Sequence, residues 1–124
     1  MTKFLLLNDI DSYKRALRLS QYGWDIIIHW DWFAKKTIGV QFMTALDSIS
    51  ANLAEGFGRY FKKDKINFYR FSFGSVKESF DWNEKARMRK LLTQEQYYYI
   101  LNELTMLPKE INQLIQFTNQ KLKK

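Results

Sequence analysis

Three observations predict an all-α fold, an antiparallel up-down-up-down four-helix bundle. Apolar residues recur in steps of three, four and seven along four separate stretches. No segment alternates apolar and polar residues between turn signals, so no strand is expected. The links between the stretches are short, which favours antiparallel neighbours.

The first stretch carries Ile10, Tyr13, Leu17, Trp24, Ile27 and Ile28, and Asp9 or Asp11 is placed to cap its start and favour the positive dipole end. The second runs from about Thr37 through Ile38, Phe42, Ala45, Ile49 and Leu53 to Gly56, with Gly56 or Gly58 able to supply a left-handed closing residue. A third opens near Asp64 as N-cap and carries Ile66, Tyr69, Phe73, Val76 and Phe80. The fourth opens on Thr93-Gln94-Glu95-Gln96, a capping-box pattern, and continues through Tyr97, Leu101, Leu104, Ile111, Leu114, Ile115 and Thr118 to Leu122. Pro108 falls inside it and should bend the helix or loosen one turn, because it lacks an N–H and its ring meets the preceding turn. The links are expected at 31–36, 58–63 and 90–92. No repeat or composition shift marks a second domain, so residues 1–124 read as one.

Composition excludes much chemistry. With no cysteine there is no disulfide framework, thiolate metal site or cysteine nucleophile. A single histidine, His29, cannot supply a two-His or three-His metal site within one chain, and it reads as packed or solvated. Lys3 is followed by four apolar residues, too few for a secretory segment, and the longest later aliphatic run is Ile26-Ile27-Ile28. A cytoplasmic protein with no membrane contact is expected.

The charge is informative once placed on the topology. The chain has 20 Lys and Arg against 13 Asp and Glu, a formal +7. In the expected bundle Lys3, Arg59, Lys62, Lys63, Lys65, Lys121, Lys123 and Lys124 share one pole, against Asp9, Asp11 and Asp64. Lys35, Lys36, Arg87, Arg89 and Lys90 share the other, with Asp31, Glu84 and Glu95 nearby. Such poles attract polyanions by steering and counterion release, or simply solvate helix ends. Aromatic residues make up 17% of the chain. Tyr97-Tyr98-Tyr99 must point around a helix, so at least one faces outward, and Trp24, Trp30, Trp32, Trp82, Phe57 and Phe61 compete for the same core. Exposed aromatics serve protein interfaces or stack on unpaired bases, and the first use is favoured here.

A polar constellation lies on helices that otherwise supply apolar faces: Ser50, Asn52, Glu55 and Arg59 on the second, Ser75 and Glu78 on the third. Spacings of three and four put them on shared edges. One reading is a cleft in which Glu55 and Glu78 do acid–base work or hold a cation. The favoured one is a satisfied network, with Arg59 on a carboxylate and the Ser and Asn groups on backbone, fixing helix register. Gly56-Phe57-Gly58 has no following Lys-Ser/Thr and no preceding strand, so it is no phosphate cradle.

The segment Ser48-Ile49-Ser50-Ala51-Asn52-Leu53-Ala54-Glu55-Gly56-Phe57-Gly58-Arg59 resembles the S-I-x-x-N-[IL]-A-E-G-x-x-R pattern of the 23S rRNA intervening-sequence (four-helix-bundle) protein family. Phe68, Phe71, Gly74, Ser75 and Glu78 match its second signature, a Phe-rich stretch followed by G-S-x-x-E, and Gln41 lies upstream. The similarity spans about residues 9–122. The family is in turn similar to the accessory variability determinant proteins of diversity-generating retroelements, which are basic, bind nucleic acid and a reverse transcriptase, and assemble as pentameric barrels. The resemblance therefore implies a non-enzymatic homo-oligomer, a pentamer, with RNA or DNA or a reverse transcriptase as partner and no cofactor, metal or catalytic residue. A protein–protein adaptor without nucleic-acid contact is the alternative, and a carboxylate enzyme the remote one.

Overall fold

The computed structural model describes residues 6–122; Lys3, Lys123 and Lys124 of the expected basic pole lie outside the described residues. A 3-10 turn, Leu7–Asp9, leads into four long helices: α1 Asp11–Ile27, α2 Val40–Phe57, α3 Lys62–Met88 and α4 Gln94–Lys121. No strand occurs among the described residues. α1 packs on α2, α2 on α3, α3 on α4, and α4 closes back on α1, giving a helical bundle. Its core is built from fully buried Leu19, Phe42, Leu46, Ile49, Leu53, Tyr69, Val76, Ile100, Leu104, Leu107 and Ile111. Each such aliphatic or aromatic side chain contributes about 1.5–3 kcal/mol relative to exposure.

Several elements differ from expectation, each for a physical reason. The buried face of α1 is Ser12, Ala16, Leu19, Ser20, Gly23 and Ile27, while Leu17, Trp24 and Ile28 face outward. Small residues line the seam because α1 approaches α2 closely: a Cβ on Gly23 would lie 2.5 Å from Leu46 Cδ1. Asp9 does not cap α1. Its Oδ2 accepts the Leu6 N–H at 2.9 Å inside the 3-10 turn, and the N-cap position of α1 is Ile10.

The expected 31–36 link is helical. Asp31 Oδ1 accepts the Ala34 N–H at 2.9 Å and starts a short turn, Trp32–Ala34. A π-helical turn, Lys35–Gly39, carries this into α2 without a break. At the other end of α2 neither glycine is left-handed: Gly58 has φ −78° and Gly56 lies within the helix. Gly56 is needed for close approach, since a Cβ there would sit 2.7 Å from the Tyr69 ring and 2.9 Å from the Lys65 carbonyl oxygen. α3 starts at Lys62 with Phe61 as its N-cap, so Asp64 belongs to the first turn, where its charge favours the dipole.

The left-handed residue is Lys90, φ 61°, after α3. Lys90 N–H donates to Arg87 O at 3.0 Å and Leu91 N–H to Ala86 O at 2.9 Å, a Schellman closure. Thr93 then opens α4 with the expected capping box: its Oγ1 accepts from Gln96 N–H at 3.1 Å, and its N–H donates to Gln96 Oε1 at 2.9 Å. The helix runs uninterrupted through Pro108.

Three contacts place the ends. Trp30 Nε1–H donates to Leu91 O at 3.0 Å, joining the α1–α2 link to the α3–α4 link. Phe57, Lys65, Tyr69, Leu114, Lys121 and Leu122 line one cleft, so the end of α2, the start of α3 and the end of α4 meet. Ile10 and Ser12 meet Leu114 and Phe117 in a neighbouring cleft, which brings in the start of α1.

Candidate nucleic-acid interface

The turn from Gly58 to Phe61 is closed by helix-end hydrogen bonds, Gly58 N–H to Ala54 O and Arg59 N–H to Gly56 O, both 3.1 Å. Nothing in it follows an apolar stripe, so its side chains point into solvent. Tyr60 is 85% exposed and Phe61 53%. Their rings meet edge to face with centroids 5.0 Å apart. Arg59 precedes them and Lys62 and Lys63 follow, so two aromatics stand between cations on one short turn.

The cations of this pole do different things. Arg59 Nε lies 3.3 Å from Glu55 Oε2, and its guanidinium sits 4.5 Å from the Phe68 ring centroid. Phe68 in turn meets Phe71 edge to face at 5.4 Å. Lys65 turns inward: its Nζ donates to Phe57 O at 2.6 Å, tying the last carbonyl of α2 to α3, and burial lowers its pKa. Lys62, Lys63 and Lys121 form no ion pair with the described residues.

Among the polar residues singled out in the sequence, Arg59 pairs with a carboxylate and the Ser and Asn groups bond backbone carbonyls, but no hydrogen bond among them joins two helices. Ser50 Oγ donates to Asp47 O at 3.3 Å, Asn52 Nδ2 to Ser48 O at 2.9 Å, and Ser75 Oγ to Phe71 O at 3.3 Å. Glu78 Oε2 accepts from Trp82 Nε1–H at 3.0 Å. Each is satisfied within its own helix, and only Arg59 reaches across, to Phe68. Glu55 and Glu78 are both exposed, engaged by Arg59 and Trp82, and no hydrogen bond or ion pair among the described residues joins them. The described residues hold no group of three His, Cys, Asp or Glu able to bind a metal.

Register is held by residues that sequence reasoning passed over. Buried Ser72 Oγ donates to Ile49 O at 2.8 Å, and buried Asn83 Nδ2 to Tyr97 O at 3.2 Å. Arg15, mostly buried between α1 and α4, binds Glu103 at 2.9 Å and Glu110 at 2.7 Å. A signal for the first two was present: Ser72, Ser79 and Asn83 continue the helical stripe of Tyr69, Val76 and Ala86.

Residues 8–113 match the profile of the 23S rRNA-intervening sequence protein family. The chain belongs to that family. No curated protein matches it. The same fold occurs in a crystal structure from Bacteroides thetaiotaomicron, of a protein with unknown function from the S23 ribosomal protein family. The two are 21% identical with a TM-score of 0.74, over 84% of this chain and 97% of the other.

The cleft lined by Phe57, Lys65, Tyr69 and Lys121 holds about 120 Å³. The neighbouring cleft lined by Ile10, Ser12, Leu114 and Phe117 holds about 280 Å³, and both fall below the roughly 300–1,000 Å³ of small-molecule sites. The segment ahead of α2 also exposes aromatics, Trp32 at 71% and Phe33 at 70%, with Lys36 Nζ 4.9 Å from the Trp32 ring. His29 is exposed. Tyr97 is buried while Tyr98 and Tyr99 face outward, as adjacency on a helix requires. No helix among the described residues is long and apolar enough to cross a membrane.

Proposed function

We propose that this family member is a non-enzymatic module that binds RNA or DNA through the pole built around the α2–α3 turn. It acts as a homo-oligomer, a pentameric ring in which the poles of the copies lie side by side. The observation that carries the reading is the turn itself, with Arg59, Lys62 and Lys63 flanking solvent-exposed Tyr60 and Phe61. An up-down-up-down course is part of the same reading, and the Trp30–Leu91 and Lys65–Phe57 hydrogen bonds support it.

Phosphate contacts release counterions, so affinity should fall steeply with salt. Titration of labelled RNA and DNA at two ionic strengths tests this. The expected result is binding at low salt that weakens at least tenfold between roughly 50 and 200 mM salt. Absence of binding at low salt overturns the reading. Retained capture of a protein partner such as a reverse transcriptase would then point to the adaptor role.

A further inference from the structure

We propose that the α2–α3 turn is a stacking platform for unpaired bases, so that the nucleic acid taken at this pole is single-stranded. The inference rests on the nucleic-acid reading above and adds the class of strand. A base within a duplex has both faces covered by its neighbours, and duplex nucleic acid meets a basic surface mainly through its phosphates. Only an unpaired base offers a whole face to an aromatic ring, and such stacking tolerates any sequence.

Tyr60 and Phe61 have the geometry this requires. With 85% of Tyr60 in solvent, its ring contributes nothing to the core. The edge-to-face contact with Phe61, at 5.0 Å, leaves a face of Tyr60 open while limiting its rotation. The platform stands on fixed ground. Lys65 Nζ, 2.6 Å from Phe57 O, pins the end of α2 to the start of α3. Arg59 is held between Glu55 and Phe68 on the side towards α3, while Lys62 and Lys63 have no ion pair with the described residues. A strand whose base lies on Tyr60 therefore finds uncommitted cations next to it for the adjoining phosphates. A second copy of the chain is a poorer occupant, because it brings a like-charged surface to the same cations.

The test is fluorescence anisotropy with a labelled oligo-dT or oligo-U of ~12 nucleotides, within the usual site size, against a duplex of equal charge. Wild type should prefer the single strand. Tyr60→Ala should weaken single-strand binding about tenfold, leaving duplex affinity and the salt slope unchanged. Tyr60→Phe, which keeps the ring, should bind as wild type. Lys62→Gln with Lys63→Gln should weaken both strand classes and flatten the salt slope by roughly 1.4 for the single strand and roughly 1.8 for the duplex. Unchanged single-strand affinity in Tyr60→Ala, or an equal loss for both strand classes, overturns the platform while the basic-pole reading stands. A smaller assembly mass for Tyr60→Ala by light scattering also overturns it, by making the turn a contact between copies. No binding of either strand class at low salt overturns both readings.

Discussion

Lys90 holds a left-handed backbone, φ 61°, at the position where helices commonly place glycine, and Gly56 holds an ordinary helical one. The two show what a glycine in a sequence does and does not report. At Gly56 the reason is space, because the Tyr69 ring and the Lys65 carbonyl occupy the place of a side chain. Gly74, on the outer side of α3, has nothing within 4 Å of a Cβ. Gly56→Ala should therefore cost about 1–3 kcal/mol despite alanine's better helix propensity, since the backbone oxygen cannot swing away. Gly74→Ala should gain up to about 1 kcal/mol. Urea unfolding of the two variants checks this, and a Gly56→Ala protein as stable as wild type would refute the close approach. The sequence marked the end of α2 by its glycines within a residue or two. It could not reveal which carried a contact, because Tyr69 lies thirteen residues further on and meets Gly56 only after α3 folds back.

At the scale of elements, patterns made of large apolar residues were legible and seams made of small ones were not. α4 follows its expected stripe and cap, and α3 keeps Ile66, Tyr69 and Val76 inward. α1 is rotated from expectation because Ala16 and Gly23, which carry little hydrophobic signal, lie on its buried face, where Gly23 meets Leu46 of α2. α3 and α4 are also joined by a polar contact: the Tyr97 hydroxyl donates to Glu84, which Arg87 also binds at 2.9 Å. The bond from Tyr97, then that from Arg87, holds the Glu84 carboxyl below its usual 4.5. A carboxyl depressed in the fold contributes stability above its unfolded pKa and loses it as pH falls through the folded one. The urea midpoint of wild type should therefore drop on going from about pH 5 to about pH 3. Tyr97→Phe should lower the midpoint at neutral pH and show a shallower acid drop. Parallel curves for the two proteins would refute the coupling.

For the molecule as a whole, the helical bundle was legible because short links between long amphipathic stretches leave few other ways to pack them. Two details around the α2–α3 turn were not. Lys65 counts as a cation in the sequence but is spent on Phe57 O. Tyr60 was passed over because it belongs to no periodic stripe, which is also why it stands in solvent. Outward apolar residues elsewhere bear on the proposed ring. Trp24, Ile28, Val40 and Met43 line a cleft of about 310 Å³ between α1 and α2, a surface suited to contact between copies. Each copy carries +7, so association should tighten as salt rises and the Debye length falls from about 30 Å at 0.01 M to about 8 Å at 0.15 M. Light scattering in moderate salt should return five times the chain mass of 15.0 kDa, and Trp24→Ala should reduce it. A monomer at all salt concentrations would overturn the ring.

The π-helical turn at Lys35–Gly39 has an evolutionary consequence. Such a turn holds one residue more than the α-helical turn it replaces, and sets the chain before it about 100° out of phase with the chain after it. Trp32 and Phe33 are therefore aimed by a single extra residue. When homologous chains are aligned, a one-position gap within 35–39 should identify those with an unbroken helix, and the aromatic pair ahead of it should be replaced by residues suited to a different side of the bundle.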